Sequence, residues 1–171
     1  IFLILIHPAR RRGRKRPLGI PGVEDKTVQY GAAKILEAIY EADFVDSSFA
    51  YRTGRGAKDA VYELNKQIQF GRFGWAVEAD IRGFFDNLGH EWMTRMLEHR
   101  IKDRAFIGLI RKWLKAGVME DIHTVIHPGA GTPQGGVISP VLANIYLHYT
   151  LDLWFEKVVK KRCRGKAWLI R

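Results

Sequence analysis

The segment Trp75-Ala-Val-Glu-Ala-Asp80-Ile-Arg-Gly-Phe-Phe85-Asp86-Asn87 constrains the fold most. Trp75 to Ile81 reads as a strand, alternating apolar and polar from Val77 on, and Gly83 then breaks the run. A strand read this way carries the Asp80 carboxylate to its open end. Asp86 and Asn87 follow as expected caps of the next helix. Further along, Gly131-Thr-Pro-Gln134-Gly135-Gly136 has enough glycine for its backbone to approach a ligand closely, and Gln134 offers both a donor and an acceptor. No Gly-Lys-Ser/Thr follows, so this loop is not a phosphate-binding P-loop.

Helical and strand-like patterns are interspersed around these motifs. Thr27 is expected to cap a helix whose apolar positions Val28, Ala32, Ile35, Leu36, Ile39 and Tyr40 recur at helical spacing, ending near Asp43. A second helical period runs from Ala57 to Phe70 through Ala60, Val61, Leu64 and Ile68, closed by Gly71. His90 to Arg100 and Ala105 to Ala116 predict two amphipathic helices, and His123 to His127 a strand. Ser139 with Pro140 starts a helix reaching about Val159. Ala167 to Arg171 predicts a further strand, the first of a hairpin. The apolar Ile1 to Ile6 suits an edge strand or a ragged gene boundary, and falls far short of the ~20 residues that span a bilayer. The fold class expected is α+β, with no membrane span.

Composition narrows the partner. The chain has 171 residues, enough for one domain with a core of its own. Its 28 lysine and arginine residues against 18 carboxylates leave a charge of +10, which points to a polyanion. The charge clusters at Arg10, Arg11, Arg12, Arg14, Lys15 and Arg16, and again from Lys157 to Lys166. Either block could meet phosphate or simply face solvent. Cys163 stands alone, which excludes an intramolecular disulfide and a cysteine-rich zinc site and fits a reducing bacterial cytoplasm. His123 and His127 lie four apart, but in a strand that spacing does not align them for a metal.

Four motifs in order resemble those of the group II intron-encoded reverse transcriptase, or maturase, family. Lys15-Arg16-Pro17-Leu18-Gly19-Ile20-Pro21-Gly22 resembles its fingers motif. Ser48-Phe-Ala-Tyr51-Arg52-Thr-Gly54-Arg55-Gly-Ala57-Lys-Asp59-Ala60 resembles the next, departing at Ala50, Thr53, Gly56 and Lys58. The Asp80 segment and the Gly131 to Tyr146 stretch complete the set. The resemblance implies fingers over about residues 1–74 and palm, with interspersed fingers elements, over about 75–171. It implies two Mg2+ ions, with the Asp80 carboxylate and the Ile81 carbonyl as ligands. Arg16 would grip the triphosphate, Phe85 would exclude a ribose 2′-hydroxyl, and Gln134 and Gly135 would contact the nascent base pair. Arg10, Arg11, Arg12, Arg14, Lys15, Arg52 and Arg55 would bind RNA or template.

Alternatives remain for three of these residues. Phe85 is equally suited to a plain core position, and Arg52 and Arg55 to structural pairing with nearby carboxylates. At position 89 the family usually has aspartate, so Gly89 implies a weaker helix cap.

The implied function is RNA-directed DNA polymerisation in intron mobility and splicing, with template and intron RNA, DNA primer and dNTPs as partners. The family's Tyr-Ala-Asp-Asp motif would follow Arg171 directly. Without it, or a thumb, maturase or endonuclease region, the chain is expected to be inactive alone unless a downstream or separate polypeptide supplies the rest. A non-catalytic RNA-binding module and a relic of an interrupted gene are the competing readings.

Overall fold

A computed structural model describes residues 3–6, 21–71, 73–116, 118–121, 124–126, 131 and 136–171, giving the backbone alone at 3–6, 118–121 and 124–126. The strands are β1 (Leu3–Ile6), β2 (Val77–Ala79), β3 (Val118–Asp121), β4 (Thr124–Ile126) and β5 (Trp168–Ile170). The helices are α1 (Val23–Tyr40), α2 (Ala57–Phe70), α3 (His90–Arg100), α4 (Arg104–Lys115), α5 (Ser139–Leu147) and α6 (Lys160–Arg162). Two π-helical turns, His148–Asp152 and Phe155–Val159, lie between α5 and α6. The molecule is thus helix-rich with little sheet, and no helix among the described residues is long and apolar enough to cross a membrane. It forms two compact units.

One unit holds β1 with Tyr40–Arg82 and Leu147–Arg171. Its sheet is parallel, in the order β2-β1-β5, with Ile4 opposite both Val77 and Leu169. The expected edge strand at the start of the chain is therefore central. A segment apolar at every position has no polar face for solvent, and suits a strand paired along both edges of a parallel sheet. β2 is shorter than the Trp75 to Ile81 expected, because the four residues of β1 pair only as far as Val77 to Ala79.

α2 keeps its expected bounds, with Ala60 and Leu64 packed on a cluster around Phe49 and Ile170, while Val61 and Ile68 face solvent. Phe49 N–H donates to the Arg171 carbonyl at 2.7 Å, and Arg171 N–H to that of Ser47 at 3.1 Å. The Arg171 guanidinium makes a two-point pair with Asp152, at 2.8 and 2.7 Å, and both side chains are buried. Such a pair fixes geometry, because leaving either charge alone in the interior is costly. One helical turn before Asp152, His148 is buried edge-on to Phe44, its Nδ1 3.8 Å from the Asp152 carboxylate and without a hydrogen bond. Burial holds its pKa below the ordinary imidazole value, although Asp152 and Asp43 pull the other way.

The other unit holds the α1 residues up to Ile39 and Gly83–Tyr146. α1 starts before the expected cap: Thr27 lies inside the helix, its hydroxyl donating to the Val23 carbonyl at 3.0 Å. Glu24 and Asp25 favour that earlier start by meeting the positive end of the helix dipole. α3 and α4 pack as a pair, burying Met93, Met96 and Leu97 on one and Ile107, Ile110 and Leu114 on the other. Each such side chain contributes roughly 1.5–3 kcal/mol when fully removed from water. Asp103 caps α4 by accepting from Ala105 and Phe106 N–H at 2.8 and 3.0 Å. In α5, Val141, Leu142, Ala143, Asn144 and Ile145 are all buried.

Candidate active site

Asp80 follows the last residue of β2 and is exposed, as is the neighbouring Ile81. The strand therefore does present a carboxylate to solvent. Beyond it the backbone turns sharply at Gly83, whose φ of +61° is strained for any side chain. Asp86 and Asn87 N–H both donate to the Gly83 carbonyl at 3.1 Å, and the Asn87 amide reaches the same oxygen at 2.8 Å. The expected capping by Asn87 is thus redirected into this turn, and the N-cap of α3 is Gly89, with no side-chain bond.

Phe85 opens a short 3-10 turn, Phe85–Asn87, and is half-buried. So is Phe84, which lies edge-on to Phe85 at 5.5 Å and to Tyr146 at 6.1 Å. In an extended segment Phe84 and Phe85 would face opposite ways. In a helical turn adjacent side chains diverge less, and both rings share the apolar contact. Tyr146, given no role by sequence, is the aromatic neighbour of this turn; its place at the end of the Asn144-Ile-Tyr146 stretch was the available signal.

Gly131, first residue of the glycine-rich loop, docks on the same turn. Its N–H donates to the Leu88 carbonyl at 2.8 Å, and its carbonyl meets His90 Nε2 at 2.5 Å. A Cβ at Gly131 would lie 2.8 Å from the Phe85 carbonyl oxygen and 2.9 Å from that of Asp86, and its φ is +98°. Only glycine fits there. The structure thereby brings the start of one motif against the Phe85 turn of another, through a His90 contact that sequence reasoning missed because the pair is distant in the chain. Gln134, Gly135, His123 and His127 lie outside the described residues, as do Arg10, Arg11, Arg12, Arg14, Lys15 and Arg16.

Arg52 is buried and spends its donors inside its own unit. It pairs with Glu41 through Nε and Nη2, the shortest contact 2.6 Å, and Nη1 donates to the Val45 and Ser48 carbonyls at 2.8 Å. Of its two possible roles this geometry is that of the structural pair, with Glu41 as the partner. Arg55 is less enclosed, bonding the Asp46 carbonyl at 2.7 Å and its carboxylate at 3.1 Å. Tyr51, just before Arg52, and Gly54, just before Arg55, adopt positive φ.

Among the described residues no three His, Cys, Asp or Glu side chains group to hold a metal. Asp80 is an exposed carboxylate of the kind a hard divalent ion accepts, next to the exposed Ile81, so it fits part of a magnesium site.

The family model for reverse transcriptase (RNA-dependent DNA polymerase) matches residues 7–164. The group II intron-encoded protein LtrA of Lactococcus lactis subsp. cremoris is 43% identical over 143 residues, covering 82% of this chain and 23% of that protein. An uncharacterized 91 kDa protein in the cob intron of Schizosaccharomyces pombe is 41% identical over 146 residues, 85% of this chain and 18% of that protein. Nuclear intron maturase 4, mitochondrial, of Arabidopsis thaliana is 31% identical over 133 residues, 78% of this chain and 16% of that protein. The chain thus spans about a fifth of the length of these relatives. With four motifs in order and two of them joined at the Phe85 turn, the chain belongs to the reverse transcriptase family, among the group II intron-encoded reverse transcriptases and maturases.

Proposed function

We propose that the chain contributes the nucleotide-binding face of an RNA-directed DNA polymerase that serves group II intron mobility and splicing, with residues 1–74 acting as fingers and 75–171 as palm. The docking of Gly131 on the Phe85 turn carries this reading, because it ties the base-pair-contacting loop to the residue that would sense the sugar. Magnesium, when bound, supplies stabilisation of the charge on the attacking and leaving oxygens at the α-phosphate. The Asp80 carboxylate and the Ile81 carbonyl would hold it, their exposure leaving them open to solvent and ligand.

The chain's own residues position the rest. The Phe85 ring, packed edge-on against Phe84, offers a firm apolar surface that a deoxyribose can rest on and that a 2′-hydroxyl cannot hydrogen-bond. Gln134 and Gly135 would contact the nascent base pair, and Arg16 the triphosphate, as a planar guanidinium does well. RNA template, DNA primer and dNTPs are the proposed partners.

The test is Gly131→Ala within a polypeptide of the relatives' length, assayed for RNA-templated primer extension. The added methyl must displace the Phe85 turn, so the KM for dNTP should rise and discrimination against ribonucleotides should fall together. Unchanged values for both in a folded variant would refute the reading.

A further inference from the structure

Apart from His90 at its end, which meets Gly131, the surface of the α3–α4 pair is used by none of these roles. Two grooves of about 750 and 550 Å3 run along it and adjoin at the Glu98–Arg111 ion pair, which lines both. Trp92 lies at one end, 59% exposed, with the Arg95 guanidinium 5.1 Å from its ring centre. Lys102 and Arg104 lie at the other end, and Lys115 flanks the first groove. Residues 90–116 hold seven lysine and arginine residues against three carboxylates. Two of those carboxylates are already engaged, Glu91 by Arg95 and Glu98 by Arg111. Arg104 and Lys115 make no hydrogen bond or ion pair among the described residues.

The exposed indole and the uncommitted cations Arg104 and Lys115 are not needed for packing, since the inner faces of both helices are already filled by Met93, Leu97, Ile107 and Ile110. Flat aromatic surface next to a cationic groove is the arrangement that holds single-stranded nucleic acid, by base stacking and phosphate contact. We infer that the α3–α4 groove, which begins at His90 beside the proposed nucleotide site, is a second RNA-binding site, in which an unpaired base stacks on Trp92 and the following phosphates run past Lys115 to Lys102 and Arg104. The inference rests on the reverse transcriptase reading, and commits to RNA over an acidic protein because the indole offers a stacking face that a carboxylate does not need.

The experiment is fluorescence anisotropy of the full chain with a labelled oligouridylate over a range of salt. Trp92→Ala should weaken binding about 10-fold with little change in the salt slope, and Trp92→Phe should restore most of the affinity. Lys102→Ala, Arg104→Ala and Lys115→Ala together should make the slope shallower by about 2. All four positions are exposed, so melting temperatures should hold. If the chain binds RNA but these variants match it in affinity and slope, the groove is not the site. If oligoglutamate of equal charge competes as well as RNA and Trp92→Phe does not rescue, the surface fits an acidic protein and the inference fails. A chain that binds no RNA at all would bring down the proposed function with it.

Discussion

Phe85 is half-buried, so its removal should cost less than the ~3–5 kcal/mol of a fully enclosed phenylalanine. That leaves its role in sugar selection open to measurement. In a polypeptide of the relatives' length, Phe85→Val should raise ribonucleotide relative to deoxyribonucleotide incorporation while the protein stays folded. A plain core role would lower both in proportion, leaving the ratio unchanged. His148 makes a different demand. Its folded pKa lies below the unfolded value near 6.5, because burial penalises the charged ring. The unfolded chain therefore takes up the proton first, and stability is complete above about pH 6.5 and declines as pH falls through that value toward the folded pKa. The groups facing the ring are Asp152, Asp43, Arg171 and Lys157, with Phe44 and Tyr149 packed against it. Chemical denaturation at a series of pH values should show that decline, and His148→Gln should flatten the part below pH 6.5. An identical pH profile in the variant would contradict the assignment.

At the scale of elements, capping decides how firmly the helices begin. Asp103→Ala should destabilise the chain by about 1 kcal/mol, since it removes the acceptor for two amides at the start of α4. Gly89→Asp should add a few tenths of a kcal/mol at the start of α3, where an added Cβ meets Trp92 and Tyr146 atoms no closer than 3.5 Å. Thermal melts of both variants check the pair; a stabilised Asp103→Ala would show that the bonds contribute nothing.

Sequence made the same helices legible to different degrees. α2 and α3 match their expected bounds because Gly56 and Gly71 flank the first, while Gly89 precedes the second, whose Met93, Met96 and Leu97 recur at helical spacing. α1 begins earlier because a threonine hydroxyl can bond back into its own helix as well as cap one, and a sequence pattern does not separate the two. The Asp80 strand end, the Gly83 break and the need for glycine at Gly131 were readable from residue type. The Arg52–Glu41 pair, the His90–Gly131 contact and the central place of β1 were not, since each depends on segments that meet only when the chain is folded.

For the whole molecule, the charge of +10 is the property that acts at longest range. If about six basic side chains each release a counterion, log affinity for single-stranded RNA should fall with log salt at a slope of roughly −4 to −5. Filter binding over a tenfold range of salt measures it, and a slope near zero would contradict phosphate contact. Arg52→Lys should leave that slope unaltered while lowering stability, because its guanidinium is committed to Glu41, Val45 and Ser48. The central claim concerns Asp80, the carboxylate that β2 delivers to solvent. The direct measurement is magnesium-dependent incorporation of dNTPs on an RNA template by a polypeptide of the relatives' length carrying either Asp80 or Asp80→Asn. The amide keeps the shape and loses the charge, so the account predicts that incorporation falls to background while folding and RNA affinity persist. Full incorporation by the Asp80→Asn protein would contradict it.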